Sequence, residues 1–196
     1  MERGIIVSCN AYFAQLGTYD VGAKPLFETA GLLGIAAASP NTPEQLRKSL
    51  PQSSYGQGQI VASPFQMARV AATVANGGIM PGGHWILEDG KDRAVEPKVV
   101  LSPDAAATLA RFMREAVTGG TGRRANGAIA PIAGKTGTAE LANAPSHAWF
   151  IGFAPYGGSG KKIAFAVLVE NGRYGGTAAA PIAGEIVQAA KEAGLL

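Results

Sequence analysis

Gly134-Lys135-Thr136-Gly137-Thr138-Ala139-Glu140 is the stretch that decides the fold. It stands between a series of predicted helices and two apolar strand candidates, so it marks a change of architecture. The heptad combines a cation, two hydroxyl groups and a glycine that lets a ligand approach the backbone. We therefore predict a strand that binds a substrate, with the lysine charge directed at an anion.

Two apolar segments follow the heptad. Residues 147–153 predict a strand buried on both faces, and residues 163–170 predict its partner across a glycine-rich hairpin loop at 155–160. The other assignments in this part of the chain are a connection over 141–146, a flexible segment over 171–177 and a closing helix over 181–193.

Two helices before the heptad have clear start and end signals. Ser63 predicts an N-cap, Gln66 stands at the capping-box position, and Gly77-Gly78 ends the helix. Ser102 starts the second helix in the same way, and Gly119-Gly120 lies beyond its end. Weaker signals predict helices over 11–17, closed by Gly17, over 25–34 and from Thr42 onward, a loop over 36–40, a turn over 51–59, and a loop or small hairpin over 79–100.

These elements predict an α+β fold. An antiparallel sheet of about three strands, near residues 133–139, 147–153 and 163–170, would be flanked by helices and covered by the last one. We expect a mainly helical part over 1–130, and the lysine strand, the hairpin and the closing helix over 131–196. An outer strand of so small a sheet would have an uncovered ladder unless something pairs with it.

The composition excludes several classes of protein. The 196 residues carry a net charge of only +3, and the basic residues are scattered, so we expect no nucleic-acid partner. Cys9 is the single cysteine, and His84 and His147 lack neighbours at metal spacing, so we expect no disulfide, no metal and no cofactor. No apolar run is long enough to cross a bilayer or to form a signal peptide.

The heptad has two simpler interpretations. Gly134-Lys135-Thr136 matches the end of a phosphate-binding loop, but Ile129 stands where the opening glycine belongs, and a strand rather than a helix follows. A purely structural edge strand would explain the lysine and the threonines. It leaves Gly137 unexplained, because glycine weakens a strand unless a ligand or another backbone comes close.

Ser8-Cys9-Asn10 is the second segment of interest. Alone it predicts an N-cap for the helix that follows. Together with the heptad, it resembles the S-x-N and K-T-G motifs of the transpeptidase domain of penicillin-binding proteins, closest to the class B members. The two motifs lie about 125 residues apart in the family's order. The similarity continues through Tyr55-Gly56-Gln57-Gly58, residues 64–78 and residues 147–155.

The resemblance implies roles for individual residues. Ser8 would relay protons, and Asn10 would contact the substrate backbone. Lys135 would anchor a terminal carboxylate with help from the hydroxyl groups of Thr136 and Thr138, and the Thr138 N–H would be one oxyanion donor. The candidate site residues are therefore catalytic Ser8, Asn10 and Lys135, and substrate-binding Thr136, Gly137 and Thr138.

The family's nucleophile, a serine in S-x-x-K, has no counterpart at the expected place. The spacing occurs at Ser159-Gly160-Lys161-Lys162, but this is the predicted hairpin loop, which cannot supply the rigid helix start that the serine needs. We therefore expect the C-terminal portion of a D,D-transpeptidase domain, inactive alone. It would bear two of the three motifs that act on peptidoglycan stem peptides or bind β-lactams.

The missing part of the domain bears on partners and location. The family's sheet has five strands, so we expect the edge strand over 163–170 to pair with the absent N-terminal part or with a second copy of the chain. The resemblance implies the extracytoplasmic face of the bacterial membrane, with membrane contact only through an anchor in the parent protein. A non-catalytic module that binds D-Ala-ended peptides or a division partner remains an alternative, as does a truncation product.

Overall fold

A computed structural model describes residues 1–83 and 96–196. The chain begins with short helices and contains two small strand pairs before the main sheet. The helices are α1 (Glu2–Ile6), α2 (Asn10–Gln15), α3 (Ala23–Leu32), α4 (Pro43–Arg47), α5 (Leu50–Ser53), α6 (Pro64–Ala75), α7 (Pro103–Thr118) and α8 (Gly175–Glu192). The small antiparallel pairs are β1 (Ala36–Ala37) with β2 (Ile60–Val61), and β3 (Ile79–Met80) with β4 (Lys98–Val99).

The main sheet has three antiparallel strands in the order β5 (Ala133–Leu141), β6 (Ala144–Ala154) and β7 (Ile163–Val169). Lys135 pairs with Ile151, and Ile151 pairs in turn with Ala166. The α+β prediction is confirmed, with the strands near their predicted positions. In the described part of the chain, β5 and β7 are both edge strands.

Helices cover both faces of the sheet. Phe150 and Phe153 are buried on opposite faces of β6, because side chains alternate along a strand. Phe150 belongs to a core with α8, and its ring stacks on Phe165 at 6.3 Å between centroids. Phe153 packs with Val74 of α6 and Met113 of α7. Helices α7 and α8 also contact β5, so the strand that carries Lys135 is packed between them.

The two helices with clear sequence signals form where predicted. The Ser63 side chain accepts from the N–H of Gln66 at 3.3 Å, and the Gln66 side chain accepts from the N–H of Ser63 at 2.7 Å. Ser102 caps α7 by accepting from the N–H of Ala105 at 3.2 Å. Each cap satisfies donors that a first helical turn leaves free.

The prediction that Gly17 ends the first helical segment is wrong. After α2 the chain continues as a π-helical turn over Leu16–Val21 and stops at Gly22, which has a φ of 83°. A side chain at Gly17 would collide with Ser54. Glycine is therefore required here by close packing and not by the end of a helix.

Three predicted connections contain regular structure. Four of the six residues in 141–146 are strand, because β5 and β6 are joined by a two-residue turn in which Asn143 has a φ of 62°. Asparagine tolerates this conformation, so a tight hairpin forms without glycine. The turn over 51–59 contains most of α5, and the loop over 36–40 contains β1.

The closing helix begins six residues earlier than predicted, at Gly175, so Pro181 lies inside α8. Proline is typical of a first helical position, and two consecutive glycines disfavour a helix. Tertiary packing outweighs both signals. A side chain at Gly175 would meet the carbonyl oxygens of Trp149 and Gly137, so this residue lets α8 pack directly against β5 and β6.

The prediction for residues 79–100 is only partly open to comparison. β3 and β4 pair as a hairpin would, while His84 and the rest of 84–95 lie outside the described residues. Among the residues described, no helix is both long and apolar enough to cross a membrane.

Candidate active site

The two sequence motifs meet in space. The Nζ atom of Lys135 donates a hydrogen bond to the Oγ atom of Ser8 at 2.8 Å, although 127 residues separate them. Ser8 lies in the turn between α1 and α2, and Lys135 lies on β5. The Ser8 side of the site therefore belongs to the helical part of the chain and the Lys135 side to the sheet.

Lys135 is held from several directions. Its Nζ atom also donates to the backbone oxygen of Thr136 at 2.8 Å and lies 3.4 Å from the Thr136 hydroxyl. Burial lowers the pKa of the Lys135 ammonium from 10.5 to about 8, because a low-dielectric surrounding disfavours charge. The amine is thus poised to gain or lose a proton close to neutral pH.

Ser8 has an unusual backbone conformation. Its φ of 57° lies in the left-handed region, which costs a non-glycine residue about 1–2 kcal/mol. The helix that follows is capped by Cys9 without a side-chain hydrogen bond, and Asn10 is already its first residue. The N-cap interpretation of Ser8 and Asn10 is therefore wrong. The Ser8 hydroxyl instead points at Lys135.

Thr121 is a site neighbour that sequence reasoning missed. Its Oγ1 atom lies 2.6 Å from Oγ1 of Thr136, and its N–H donates to the carbonyl oxygen of Ile6 at 3.3 Å. A side chain at Gly176, in the first turn of α8, would collide with the Thr121 carbonyl. Thr121 thus links α1 and α8 to the K-T-G threonine. Neither spacing nor residue type indicated it.

Gln57 forms a second bridge between residues 1–83 and the sheet. Its Nε2 atom donates to the Glu140 carbonyl oxygen at 3.2 Å, and its Oε1 atom accepts from the Glu140 N–H at 3.0 Å. Within residues 1–83 and 131–196 of the structure, only this pair and the Lys135–Ser8 bond are hydrogen bonds between the two segments. The resemblance included Gln57 without giving it a role.

A cleft of about 800 Å³ opens between these bridges. Arg123 and Arg124 lie along it and, among the described residues, make no side-chain hydrogen bond or ion pair. With Lys135 they outnumber Glu140, so the cleft favours an anionic ligand. All six predicted site residues line it: Ser8, Asn10, Lys135, Thr136, Gly137 and Thr138.

Other candidate residues lie elsewhere. Ser159 is in the β6–β7 loop and lines a separate groove with Lys162, next to α6. The Nδ1 atom of His147 accepts from the N–H of Asn171 at 3.0 Å, which fixes the turn after β7. Within 1–83 and 96–196, no three His, Cys, Asp or Glu side chains are grouped as a metal site would require.

The cleft and fold can be compared with known families. The family described as penicillin binding protein transpeptidase domain matches residues 1–188. The chain belongs to this family. Peptidoglycan D,D-transpeptidase PbpA of Mycolicibacterium smegmatis is 36% identical over 225 aligned positions, which cover 99% of the chain and 44% of that protein. The chain thus spans less than half the length of this transpeptidase.

Solved structures of the family have the same fold. One is penicillin-binding protein A of Mycobacterium tuberculosis, solved as a ceftriaxone acyl-enzyme complex, which superposes with a TM-score of 0.75 at 30% identity. The superposition covers 96% of this chain and 48% of the chain of penicillin-binding protein A. PBP2 of Helicobacter pylori, in complex with MreC, superposes with a TM-score of 0.84 at 22% identity, covering 100% and 40%. At that identity the second match concerns the fold alone.

Proposed function

We propose that the chain supplies the S-x-N and K-T-G parts of a serine D,D-transpeptidase that cross-links peptidoglycan stem peptides. The observation that carries the proposal is the 2.8 Å hydrogen bond from Lys135 to Ser8 at the wall of a positively charged cleft. The family's chemistry needs a carboxylate anchor and a proton relay within reach of one small ligand, and these two residues fit both needs.

Ser8 is suited to relay a proton. Its oxygen accepts the hydrogen bond from the Lys135 ammonium, so its own O–H is free to donate into the cleft. In the acylation step the ester to the nucleophilic serine forms as the C–N bond to D-Ala breaks. The leaving nitrogen would take a proton from Ser8 while Ser8 takes one from Lys135, and the proton that the nucleophilic serine loses would restore the charge of Lys135. The lowered pKa of Lys135, about 8, makes this transfer less costly than it would be from an ordinary lysine.

Lys135 and the threonines are suited to hold the substrate. The Lys135 charge would attract the terminal carboxylate of a D-Ala-D-Ala peptide or the carboxylate of a β-lactam. The Thr136 and Thr138 hydroxyl groups would direct it. The Thr138 N–H would stabilise the oxyanion, and Asn10 would contact the peptide backbone. A solved relative at 30% identity is a β-lactam acyl-enzyme, which supports ligands of this class.

The nucleophilic serine would come from sequence outside these residues, because Ser159 does not line the cleft. We propose that the same upstream part pairs with β7, whose outer edge has no partner strand in the described part of the chain. Since peptidoglycan lies outside the cell membrane, the cleft would face the extracytoplasmic side. Light scattering of the isolated chain tests the pairing. Without the upstream part, copies of the chain should associate through the free edge of β7. A compact monomer that binds no hydrophobic dye would contradict the pairing.

The carboxylate anchor can be tested on the isolated chain. In an NMR titration, a short peptide ending in D-Ala-D-Ala should shift the amides of Lys135 and Thr138, and its C-terminal amide analogue should bind far more weakly. A hydrogen bond to a charged group contributes about 1.5–3 kcal/mol, so Lys135→Met should raise Kd by roughly 10- to 100-fold. Lys162→Met is the matched control and should change nothing. Equal binding of the acid and the amide would contradict the proposal.

A further inference from the structure

The two ends of the Gln57 amide bind both backbone groups of Glu140. The two distances, 3.2 Å and 3.0 Å, are those of ordinary hydrogen bonds. A carboxamide that donates to a carbonyl and accepts from an N–H of the same residue imitates the neighbouring strand of a sheet. At Glu140, therefore, a side chain occupies the place where another strand could pair with β5.

The remaining outer edge of β5 follows from strand geometry. Successive residues of a strand point their N–H and C=O groups to opposite edges. The register with β6 is regular from Ala133 to Ala139, so the alternation holds along this stretch. The Thr136 carbonyl accepts from Lys135 Nζ, so Thr136 faces the outer edge and Thr138 shares that edge. The register shifts between Ala139 and Leu141, and there the backbone groups of Glu140 also face outward, where they bind Gln57.

Two of the outward positions from Thr136 to Glu140 are already used. Thr136 gives its carbonyl to Lys135, and Glu140 gives both of its backbone groups to Gln57. Thr138 lies between them on the same edge and lines the cleft. A peptide that adds to this part of the edge therefore finds one complete pairing position.

The loop that carries Gln57 is built to present it. Gly56 and Gly58 flank it with φ values of 88° and 64°, which L side chains rarely adopt. A side chain at Gly58 would also collide with Ser49. Ser54 and Tyr55, just before this turn, line the same cleft as Glu140. The turn thus holds Gln57 at one end of the cleft.

We propose that Gln57 caps the outer edge of β5 and so limits an extended peptide ligand to pairing at Thr138. The ligand half of this inference rests on the proposed function, in which the peptide ends in a carboxylate at Lys135. A peptide antiparallel to β5 would run from Gln57 toward Lys135. Residues further from the carboxylate would meet the Gln57 amide and turn away from the strand. Gln57 is thereby a specificity-determining residue that does not touch the reacting atoms.

The cap is tested without any ligand by amide hydrogen exchange of the 196-residue chain. Gln57→Ala should speed exchange at the Glu140 amide at least tenfold. Gln57→Glu keeps an acceptor for that N–H and should preserve its protection, and Gln188→Ala, which removes an exposed bond to Glu192 on α8, is the matched control. Unchanged exchange at Glu140 in Gln57→Ala would overturn the cap, whatever the protein binds.

The limit on the ligand is tested with two acetylated peptides ending in D-Ala-D-Ala, of three and six residues. The wild-type chain should bind both with the same Kd. In Gln57→Ala, the longer one should bind at least threefold more tightly and shift the Glu140 amide in NMR spectra. The same length dependence in both proteins would overturn the limit. If neither peptide binds either protein, the proposed function and this limit fail together, and the exchange result still decides the cap.

Discussion

The hydroxyl oxygens of Thr121 and Thr136 lie 2.6 Å apart, so the K-T-G threonine is oriented by a residue in the loop after α7. The same loop residue donates its N–H to Ile6, next to the turn that carries Ser8. Both sides of the cleft are therefore tied to Thr121. This places a structural demand on a position that carries no motif.

Thr121→Val tests this tie, because valine keeps the shape and removes the hydroxyl. We expect a loss of about 1 kcal/mol in the free energy of unfolding, the typical contribution of one hydrogen bond. Urea denaturation measures it. Thr118→Val, on the exposed end of α7, is the control and should stay within about 0.5 kcal/mol of wild type. Equal losses of unfolding free energy in the two variants would show that the Thr121 hydrogen bond does not stabilise the protein measurably.

Gly175→Ala tests the close contact between α8 and the sheet. The added methyl group would meet the Trp149 and Gly137 carbonyl oxygens, and crowding of this kind costs roughly 1–3 kcal/mol. Gly184 lies on the same helix with nothing within 4 Å of an added Cβ. Gly184→Ala should therefore stabilise the protein, by about 0.5–1 kcal/mol. Opposite signs in thermal unfolding are expected, and stabilisation by both would contradict the contact.

Ser8→Gly and Ser8→Ala test the strain at the left-handed residue. Both variants remove the hydroxyl that Lys135 contacts, but only glycine adopts a φ of 57° without a steric cost. The glycine variant should therefore be about 1 kcal/mol more stable than the alanine variant. Chemical denaturation of the pair measures the difference. If alanine proved the more stable, the strain would be refuted.

The lowered pKa of Lys135 predicts a pH dependence of stability. Between about pH 8 and pH 10.5 the folded amine is neutral while the unfolded one is still protonated, so the unfolded state binds more protons. Stability should rise with pH across this window, because the burial penalty on the charge disappears. The free energy of unfolding, measured across this pH window, should rise less in Lys135→Met than in the wild-type protein. An identical slope in the two proteins would contradict the shift.

Local signals predicted much of the fold but little of the site's support. The Ser63 and Ser102 caps and the apolar periodicity marked α6, α7 and the three strands, because these features depend on neighbouring residues. The predicted start of α8 was wrong because the true start depends on the packing of Gly175 against Gly137, which is a contact between distant segments. The two-residue hairpin turn was missed because Asn143 is followed by Ala144, and not by the glycine that usually marks such a turn.

The residues of the site also differ in whether the sequence could indicate them. The six motif residues were predicted from a resemblance, which preserves residue types and order, and the structure brings them to one cleft. Thr121 and Gln57 act through bonds to backbone or hydroxyl groups 15 and 83 residues away, and such pairs leave no local pattern. Their signal lies in the fold.

The most direct test of the central claim is the rate of covalent labelling by a fluorescent penicillin. It is measured on the protein that carries this chain together with an S-x-x-K segment. Ser8→Ala and Lys135→Met should each slow labelling by about 10- to 100-fold, as the loss of a charged hydrogen bond implies. Ser159→Ala and Lys162→Met should label at the wild-type rate. Full labelling of Ser8→Ala and Lys135→Met, or its loss in Ser159→Ala, would contradict the assignment of this cleft.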